Sequence, residues 1–271
     1  AAPKGRTLTV REINAAIKAQ NAGWIAAENK FTRKPLSELK AMLGAFPADL
    51  LGGDDKSIDQ AKPGPTLPAT FDWRSQNGYN WVTPVKDQGN CGSCWAFGSI
   101  AQLEAKMQLY FSNPNLKPDL SEQFLVSCNT ANYGCDGGYM DVVYSYLQST
   151  GAPDEACFPY KASDLPCSGA CEDWANRVHK ISGWSWVCRT KPNTTTLKTA
   201  VYTNGPVTAS FDVYNDFFSY SSGCYKHVTG AYAGGHAVLI VGWTSDGCWI
   251  VKNSWGANWG EQGYFKIKFG D

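Results

Sequence analysis

The amino-terminal part of the chain has apolar residues at helical spacing and contains no cysteine. Over LTVREINAAIKAQNAGWIAAEN the recurring apolar positions are Val10, Ile13, Ile17 and Trp24. This spacing predicts an amphipathic helix. Pro35 then precedes LSELKAMLGAF, which predicts a second, short helix with Ser37 as its cap. The next stretch, GGDDKSIDQAKPGPTLP, has the composition of an exposed, cleavable linker.

Beyond Leu67 the pattern predicts helices first and strands afterwards. Long or capped apolar patterns predict three helices, in CWAFGSIAQLEAKMQLYF, LSEQFLVSC and GYMDVVYSYLQSTG. After about residue 178, short apolar runs with period-two character predict strands in VTASFDVY, HAVLIVGW, CWIVKNSW and YFKIKF. We therefore expect an α+β protein with three parts: 1–66, a mainly helical 67–178 and a β-rich 179–271.

Composition narrows the class of protein. The 271 residues carry 24 basic and 24 acidic side chains, a balance that does not favour nucleic acid or an anionic membrane as partner. No apolar run is long enough to span a bilayer. Ten cysteines and one sequon, at Asn193, favour an oxidising compartment of the secretory pathway.

The stretch QGNCGSCWAF, residues 88–97, contains a Cys-x-x-Cys pair whose meaning is open at first. Cys91 and Cys94 could be zinc ligands, a redox disulfide, or a nucleophile with an unrelated neighbour. Cys94 lies at the predicted start of a helix, where unpaired N–H groups and the helix dipole favour an anion. A nearby imidazolium would lower the pKa of such a thiol further.

Of the three histidines, His236 is the best candidate for that imidazole. It follows two glycines and opens a buried apolar run, whereas His179 and His227 lie in more polar surroundings. Asn253 in KNSWG could fix its tautomer, and Trp255 could shield their bond from water. With the backbone N–H of Cys94, the side-chain amide of a nearby glutamine, Gln88, could stabilise an oxyanion.

Four motifs together resemble the papain family of cysteine peptidases: QGNCGSCWAF, CDGGY, GGHAVLIVGW and KNSWGANWGEQGYF. The resemblance covers about Leu67 to Phe269. NGPVTASFDVYNDFFSYSSGCYKHVTGAYAGGHA and the short amino-terminal region are similar to cathepsin B in particular. The resemblance implies a helical left domain, a β-barrel-like right domain, and a cleft between them with Cys94, His236, Asn253 and Gln88.

The same resemblance implies that residues 1–66 are an inhibitory propeptide that crosses the cleft in the reverse direction to substrate. The part over Cys94 would be Leu43, Gly44, Ala45 and Phe46. Substrate contacts are implied for Gly137, Gly138, Tyr139, Met140, Ser210, Ala237 and Trp255. Substrates would be peptides and proteins, cystatin-type proteins are possible inhibitors, and we expect a secreted or lysosomal monomer without metal or cofactor.

Two departures from cathepsin B affect the expected activity. The stretch YKASDLPCSGACEDW, where cathepsin B has its occluding loop, is short and has no histidine. This predicts an endopeptidase with weak or no carboxydipeptidase activity. The family continues beyond FKIKFGD with a segment that forms the floor of the S2 pocket, so the preference at P2 is left undetermined.

The resemblance also implies disulfide pairings. The expected pairs are Cys91–Cys135, Cys128–Cys167, Cys157–Cys171 and, more weakly, Cys224–Cys248. Cys188 then falls outside the four bridges.

Two other functions are considered beside the peptidase. A thiol–disulfide oxidoreductase would use Cys91 and Cys94, but such a motif usually opens a helix in a βαβ pattern, with the first cysteine attacking. A homologue that only binds is disfavoured, because Cys94, His236 and the two amide residues are all present.

Overall fold

The computed structural model describes residues 7–47, 64–189 and 193–271. Its α-helices are α1 (Val10–Ala19), α2 (Leu36–Lys40), α3 (Cys94–Tyr110), α4 (Glu122–Cys128), α5 (Met140–Ser149), α6 (Trp174–Arg177) and α7 (Thr194–Asn204). Its strands are β1 (Trp24–Ala26), β2 (Phe71–Asp72), β3 (Val207–Tyr214), β4 (Tyr220–Tyr225), β5 (Tyr232–Trp243), β6 (Cys248–Lys252) and β7 (Tyr264–Lys268). Within the described ranges, no helix is long and apolar enough to cross a membrane.

Helix α3 is the central element of the helical half. Its residues are buried on most sides, including Trp95, Ile100 and the acidic Glu104, as expected of a helix apolar all round. It packs against α4 and α5 on one side and against β5 on the other. The first residue of α3 therefore lies where the helical half meets the sheet.

The strands form an open sheet in the order β1-β4-β7-β6-β5-β2, with β3 paired to β5 outside this path. Strand β5 pairs antiparallel with both β3 and β6, and β7 pairs antiparallel with β6 and parallel with β4. Every residue of β5 from His236 to Trp243 is buried, which explains the continuous apolar run in the sequence.

Residues 7–47, called here the N-terminal segment, dock on the β half. Thr9 and Glu12 form a capping box at the start of α1, and Ile13 and Ile17 are its buried residues. Strand β1 extends the sheet by pairing antiparallel with β4. The segment therefore adds one edge strand and two helices, α1 and α2, to the enzyme half of the chain.

Several predictions of local structure are wrong. Trp24 lies in strand β1 and not in a helix, because its backbone pairs with Gly223. Helix α2 has Pro35 as its N-cap, without a side-chain cap from Ser37, and ends at Lys40. The β-rich part contains a helix, α7, that the strand pattern did not predict.

The proposed linker, GGDDKSIDQAKPGPTLP, falls mostly outside the described residues.

Four disulfides join the predicted cysteine pairs: Cys91–Cys135, Cys128–Cys167, Cys157–Cys171 and Cys224–Cys248. Three of them tie together the loops of the helical half, and the fourth joins β4 to β6. Each closes a loop of 14 to 44 residues, which stabilises the fold mainly by restricting the unfolded chain.

Candidate active site

The thiol of Cys94 lies at the first residue of α3 and is fully buried. The backbone N–H of Gly44, in the N-terminal segment, donates to Cys94 Sγ at 3.3 Å. Burial raises the pKa of the Cys94 thiol, although N–H groups of Ala237, Gly44 and Trp95 oppose this shift. The sequence predicts a lowered pKa, whereas burial of the thiol raises it in this structure.

His236 is held in one tautomer by Asn253. Asn253 Oδ1 lies 2.7 Å from His236 Nε2, and because an amide oxygen only accepts, Nε2 carries the hydrogen. Among the described residues, the other ring nitrogen, Nδ1, makes no hydrogen bond. Trp255 stacks over the imidazole with ring centroids 4.8 Å apart.

Burial lowers the pKa of His236 to about 4, against an opposing effect of the hydrogen bond to Asn253. Burial therefore favours the neutral forms of both the Cys94 thiol and the His236 imidazole in the covered site.

Gln88 is fully buried, and hydrogen bonds hold both its backbone N–H and its side-chain amide. Its backbone N–H donates to Ser254 O at 2.8 Å, and the Ser254 hydroxyl donates to Gln88 Oε1 at 2.6 Å. This second bond fixes the orientation of the amide. Gln88 Nε2 then donates to the carbonyl of Met42 and to that of Cys91, both at 2.8 Å. The side-chain amide of Gln88, which the sequence predicts to stabilise an oxyanion, thus donates here to a carbonyl of the N-terminal segment, that of Met42.

Residues 42–46, the cleft strip, lie between the two halves. Gly138 N–H donates to Gly44 O at 2.8 Å, and Phe46 N–H donates to Gly138 O at 3.1 Å. Ala45 forms a parallel bridge with Gly138 and donates from its N–H to Gly235 O at 3.1 Å. The strip therefore bridges the CDGGY loop and strand β5 through backbone hydrogen bonds.

Two side chains of the cleft strip, those of Phe46 and Ala45, lie near predicted substrate residues. Phe46 packs edge-on against Tyr139, with centroids 5.0 Å apart, and lies against Gly137. Ala45 belongs to the apolar cluster that contains Met140 and Ala237.

Ser210 differs from the other predicted pocket residues. It pairs with Ala237 in the sheet and is exposed. On the far side of the cleft, Phe31 of the N-terminal segment packs against Trp255 at 5.3 Å.

The sequence did not single out a buried charge network behind the site. Lys86 pairs with Glu104 at 3.3 Å and Glu122 at 2.9 Å. Lys252, next to Asn253, donates to Thr83 at 3.1 Å. Burial raises the pKa of Glu122 to about 8 and lowers that of Lys252 to about 8. These charges are far apart in the sequence, and only the fold brings them together.

The Cys-x-x-Cys motif does not indicate that Cys91 and Cys94 act as a pair. Cys91 is bonded to Cys135 with a Cα–Cα distance of 4.6 Å, and among the described residues Cys94 belongs to no disulfide. The oxidoreductase hypothesis needs these two sulfurs to bond with each other, so the pairing of Cys91 contradicts it.

Comparison with known proteins agrees with this geometry. The family described as Papain family cysteine protease matches residues 67–271. Cathepsin B-like CP3 of Giardia intestinalis is 34% identical over 270 residues, which cover 96% of this chain and 88% of that protein.

Two solved proforms have the same fold. ProCathepsin B S9 from Trypanosoma congolense aligns with a TM-score of 0.80 and 25% identity, covering 98% of this chain and 94% of that one. Digestive procathepsin L2 proteinase from Tenebrio molitor larval midgut aligns with a TM-score of 0.78 and 33% identity, covering 96% and 84%. The predicted α+β, papain-like fold is confirmed, and the chain belongs to the papain family of cysteine proteases.

Proposed function

We propose that this chain is the zymogen of a cysteine endopeptidase, with Cys94 as nucleophile and residues 1–66 as its inhibitor. The observation that carries the proposal is the contact of Gly44 N–H with Cys94 Sγ, directly beside the Met42 carbonyl on Gln88. One short strip therefore covers both the nucleophile and the oxyanion donor.

In the uncovered enzyme, Cys94 and His236 would exchange the thiol proton and form a thiolate–imidazolium pair. The thiolate attacks the peptide carbonyl carbon, forming a C–S bond, while Gln88 Nε2–H and Cys94 N–H donate to the oxyanion. His236 Nδ1–H then protonates the leaving amine as the C–N bond breaks, which leaves a thioester.

Deacylation uses the same groups in the reverse sense. Water attacks the thioester carbonyl as His236 accepts its proton, and the C–S bond breaks to release the carboxylic acid. Asn253 holds the imidazole in the tautomer that leaves Nδ1 toward the reaction, which is the role of the third member of a triad.

The direction of the cleft strip supports its role as an inhibitor. It lies parallel to the Gly138 backbone, and by family resemblance a substrate runs the opposite way. The strip therefore fills the site without presenting its own peptide bonds in the direction of attack.

The decisive experiment compares the Cys94→Ala variant with two histidine variants. We expect Cys94→Ala and His236→Ala to abolish peptidase activity, whereas the matched control His179→Ala retains it. After acid incubation, amino-terminal sequencing of the wild type should show a new start near Leu67 that is lost in Cys94→Ala. Full activity in Cys94→Ala would contradict the assignment of the nucleophile.

The endopeptidase assignment rests on the stretch from Tyr160 to Trp174, which contains no histidine. Two disulfides hold it, Cys128–Cys167 and Cys157–Cys171, around a short 3-10 helix at Cys167–Gly169. A substrate with a free terminal carboxylate would find no paired histidines there. Efficient release of dipeptides from such a substrate would contradict this part of the proposal.

We also propose that the protein matures in the secretory pathway and acts outside the cell or in a lysosome-like compartment. Four disulfides are typical of an oxidising compartment. Asn193 is exposed at the N-cap of α7, where its Oδ1 accepts from Thr195 N–H. Treatment of the secreted protein with an N-glycosidase should lower its mass, and Asn193→Gln should remove this effect.

A further inference from the structure

The hydroxyl of Tyr160 joins the two backbone segments that carry the proposed oxyanion donors. It donates to the carbonyl of Gln88 at 2.8 Å and lies 2.6 Å from the hydroxyl of Ser93. Because a phenol has one hydrogen, the Tyr160 hydroxyl donates to Gln88 and accepts from Ser93. Ser93 is the residue before Cys94, so the bridge connects the peptide at Gln88 to the peptide that supplies the Cys94 N–H.

Ser93 occupies the N-cap position of α3 without acting as a cap. Its side chain makes no capping hydrogen bond to the first turn, although serine is among the preferred N-cap residues. The backbone of Ser93, at φ −91° and ψ 15°, is not in the extended conformation of a capping residue, and its hydroxyl instead donates to Tyr160. N–H groups of the first turn then face the Cys94 sulfur, where those of Trp95 and Cys94 oppose the raised pKa of the thiol.

The backbone of Gln88 is held at both of its polar groups. The N–H donates to Ser254 O in the β half, and the carbonyl accepts from Tyr160 in the helical half. The ring of Tyr160 is fixed in turn by edge-on packing against Phe97 at 4.8 Å, and its backbone N–H donates to Glu155 at 2.7 Å. A side chain fixed in this way can hold Gln88 at a defined distance from the start of α3.

We propose that Tyr160 is a positioning residue for the oxyanion hole, which sets the distance between the Gln88 amide and the Cys94 N–H. The inference rests on the proposed function, because it assumes that these two groups stabilise the oxyanion. Tyr160 itself contacts neither the thiol nor the cleft strip through its hydroxyl, so it acts through Gln88 and Ser93.

The test is Tyr160→Phe, which keeps the ring against Phe97 and removes only the bridging hydroxyl. Loss of a whole oxyanion donor lowers kcat by about 100- to 1000-fold, and a displaced donor should lower it less. We therefore expect kcat/KM for a peptide substrate to fall about 10- to 100-fold, through kcat, with KM changed less than about twofold. Alkylation of Cys94 by iodoacetamide forms no oxyanion, and its rate should stay within about twofold of the wild type.

Tyr144→Phe is the matched control. Tyr144 lies in the same half and its hydroxyl also makes two hydrogen bonds, to Gln102 and to Thr208, neither of which lies in the segment 88–94. We expect Tyr144→Phe to leave kcat within about twofold, even if its melting temperature falls as much as that of Tyr160→Phe. Equal losses of kcat in the two variants would overturn the inference, and so would an equal loss of alkylation and peptidase rates in Tyr160→Phe.

Gln88→Ala, measured alone and together with Tyr160→Phe, separates this inference from the proposed function. If Tyr160 acts through Gln88, the double variant should lose less than the product of the two single effects. If Gln88→Ala retains full activity, the proposed oxyanion role fails. If Gln88→Ala loses activity and Tyr160→Phe does not, only the role of Tyr160 fails.

Ser93→Ala provides a second route if Tyr160→Phe does not fold. It removes the other hydroxyl of the bridge and should also lower kcat with little change in KM or in alkylation rate. An unchanged kcat in Ser93→Ala would overturn the bridge as the positioning element. All variants are expressed as the full chain and activated in the same way.

Discussion

The N-terminal segment contacts the enzyme half in two different ways. Its first part docks through side chains: Trp24 packs against Tyr225 with centroids 5.0 Å apart, and Phe31 against Trp255 at 5.3 Å. The cleft strip, residues 42–46, is held by backbone hydrogen bonds to Gly138 and Gly235. Buried aromatic area contributes most to affinity, whereas backbone hydrogen bonds place a strip across the site. We therefore expect the first part to supply most of the binding free energy and the cleft strip to determine which groups are blocked.

One measurement can test this division. Labelling of Cys94 by a peptidyl epoxide in the intact chain, followed by mass spectrometry, reports how often the cleft is open. Rates are normalised to the cleaved enzyme under the same conditions, so that they report opening and not the reactivity of the thiol.

The largest effect is expected from Trp24→Ala in the docking part. Trp24 is almost fully buried and its indole N–H donates to Lys226 O at 3.0 Å. Truncation of a buried tryptophan costs about 3–5 kcal/mol, so labelling should become about 100-fold faster or more. Ile25→Ala is the control, because Ile25 on the same strand is 58% exposed and should change labelling little. Similar rates in the two variants would contradict the docking role.

Acid should have the second largest effect, through His236. Under the cleft strip the pKa of His236 is lowered from 6.5 to about 4 by burial. When uncovered His236 takes its proton from solvent with the ordinary pKa of 6.5, the covered state is most stable above about pH 6.5 and loses stability as the pH falls toward 4, by at most about 3 kcal/mol. Opening then increases across this interval. Transfer of the Cys94 proton within the pair takes up no further proton, so a pH-independent rate of opening would show that His236 is charged by Cys94 and not by solvent.

Gly44→Ala tests the cleft strip without changing the docking part. A Cβ at Gly44 would lie 1.8 Å from Gly92 O, which is backbone and cannot move aside easily. Overpacking of this kind costs about 1–3 kcal/mol, so labelling should rise about 5- to 100-fold. Gly23→Ala is the matched control, since a Cβ at Gly23 meets nothing within 4 Å. If both variants label at the wild-type rate, close approach of the strip is not needed for blocking.

The smallest effect is expected from Lys30→Ala. Lys30 Nζ lies 2.5 Å from Asp87 Oδ2, but the side chains are 40% and 48% exposed. Exposed ion pairs contribute about 0–1 kcal/mol, so labelling should rise less than about fivefold, and this difference should shrink at high salt. Lys18→Ala, which removes another exposed lysine of the segment, controls for net charge. An effect of Lys30→Ala as large as that of Trp24→Ala would overturn the comparison.

Local sequence patterns predicted several strands and capped helices well, and they failed where an element depends on a distant partner. Strand β3 coincides with VTASFDVY, and α4 begins after Ser121, whose hydroxyl caps Phe124 N–H. Both signals are local, because a strand period or a cap depends on residues within a few positions. Trp24 was assigned to a helix because its spacing from Ile17 fits one, but its partner is Gly223, which no local pattern connects to it.

The same limit applies to the site. Cys94, His236, Asn253 and Gln88 were named from motifs. In the fold, Cys94 and Gln88 both bond to the cleft strip, and His236 bonds to Asn253. The prediction of a lowered pKa for Cys94 was wrong for the covered state, because it considered the helix end and not the segment that buries the thiol. Desolvation depends on everything that packs around a group, and a motif does not contain that information.

By itself, the sequence determined which chemical groups this protein has and in which order they occur. A thiol at a helix start, a histidine with a distant asparagine, and glycines where backbones meet are all local features of the chain. The tertiary structure alone decided which groups share hydrogen bonds, such as Tyr160 with Gln88, 72 residues earlier. The physical reason is that a hydrogen bond needs two groups within about 3 Å, and only the folded chain sets distances between remote residues.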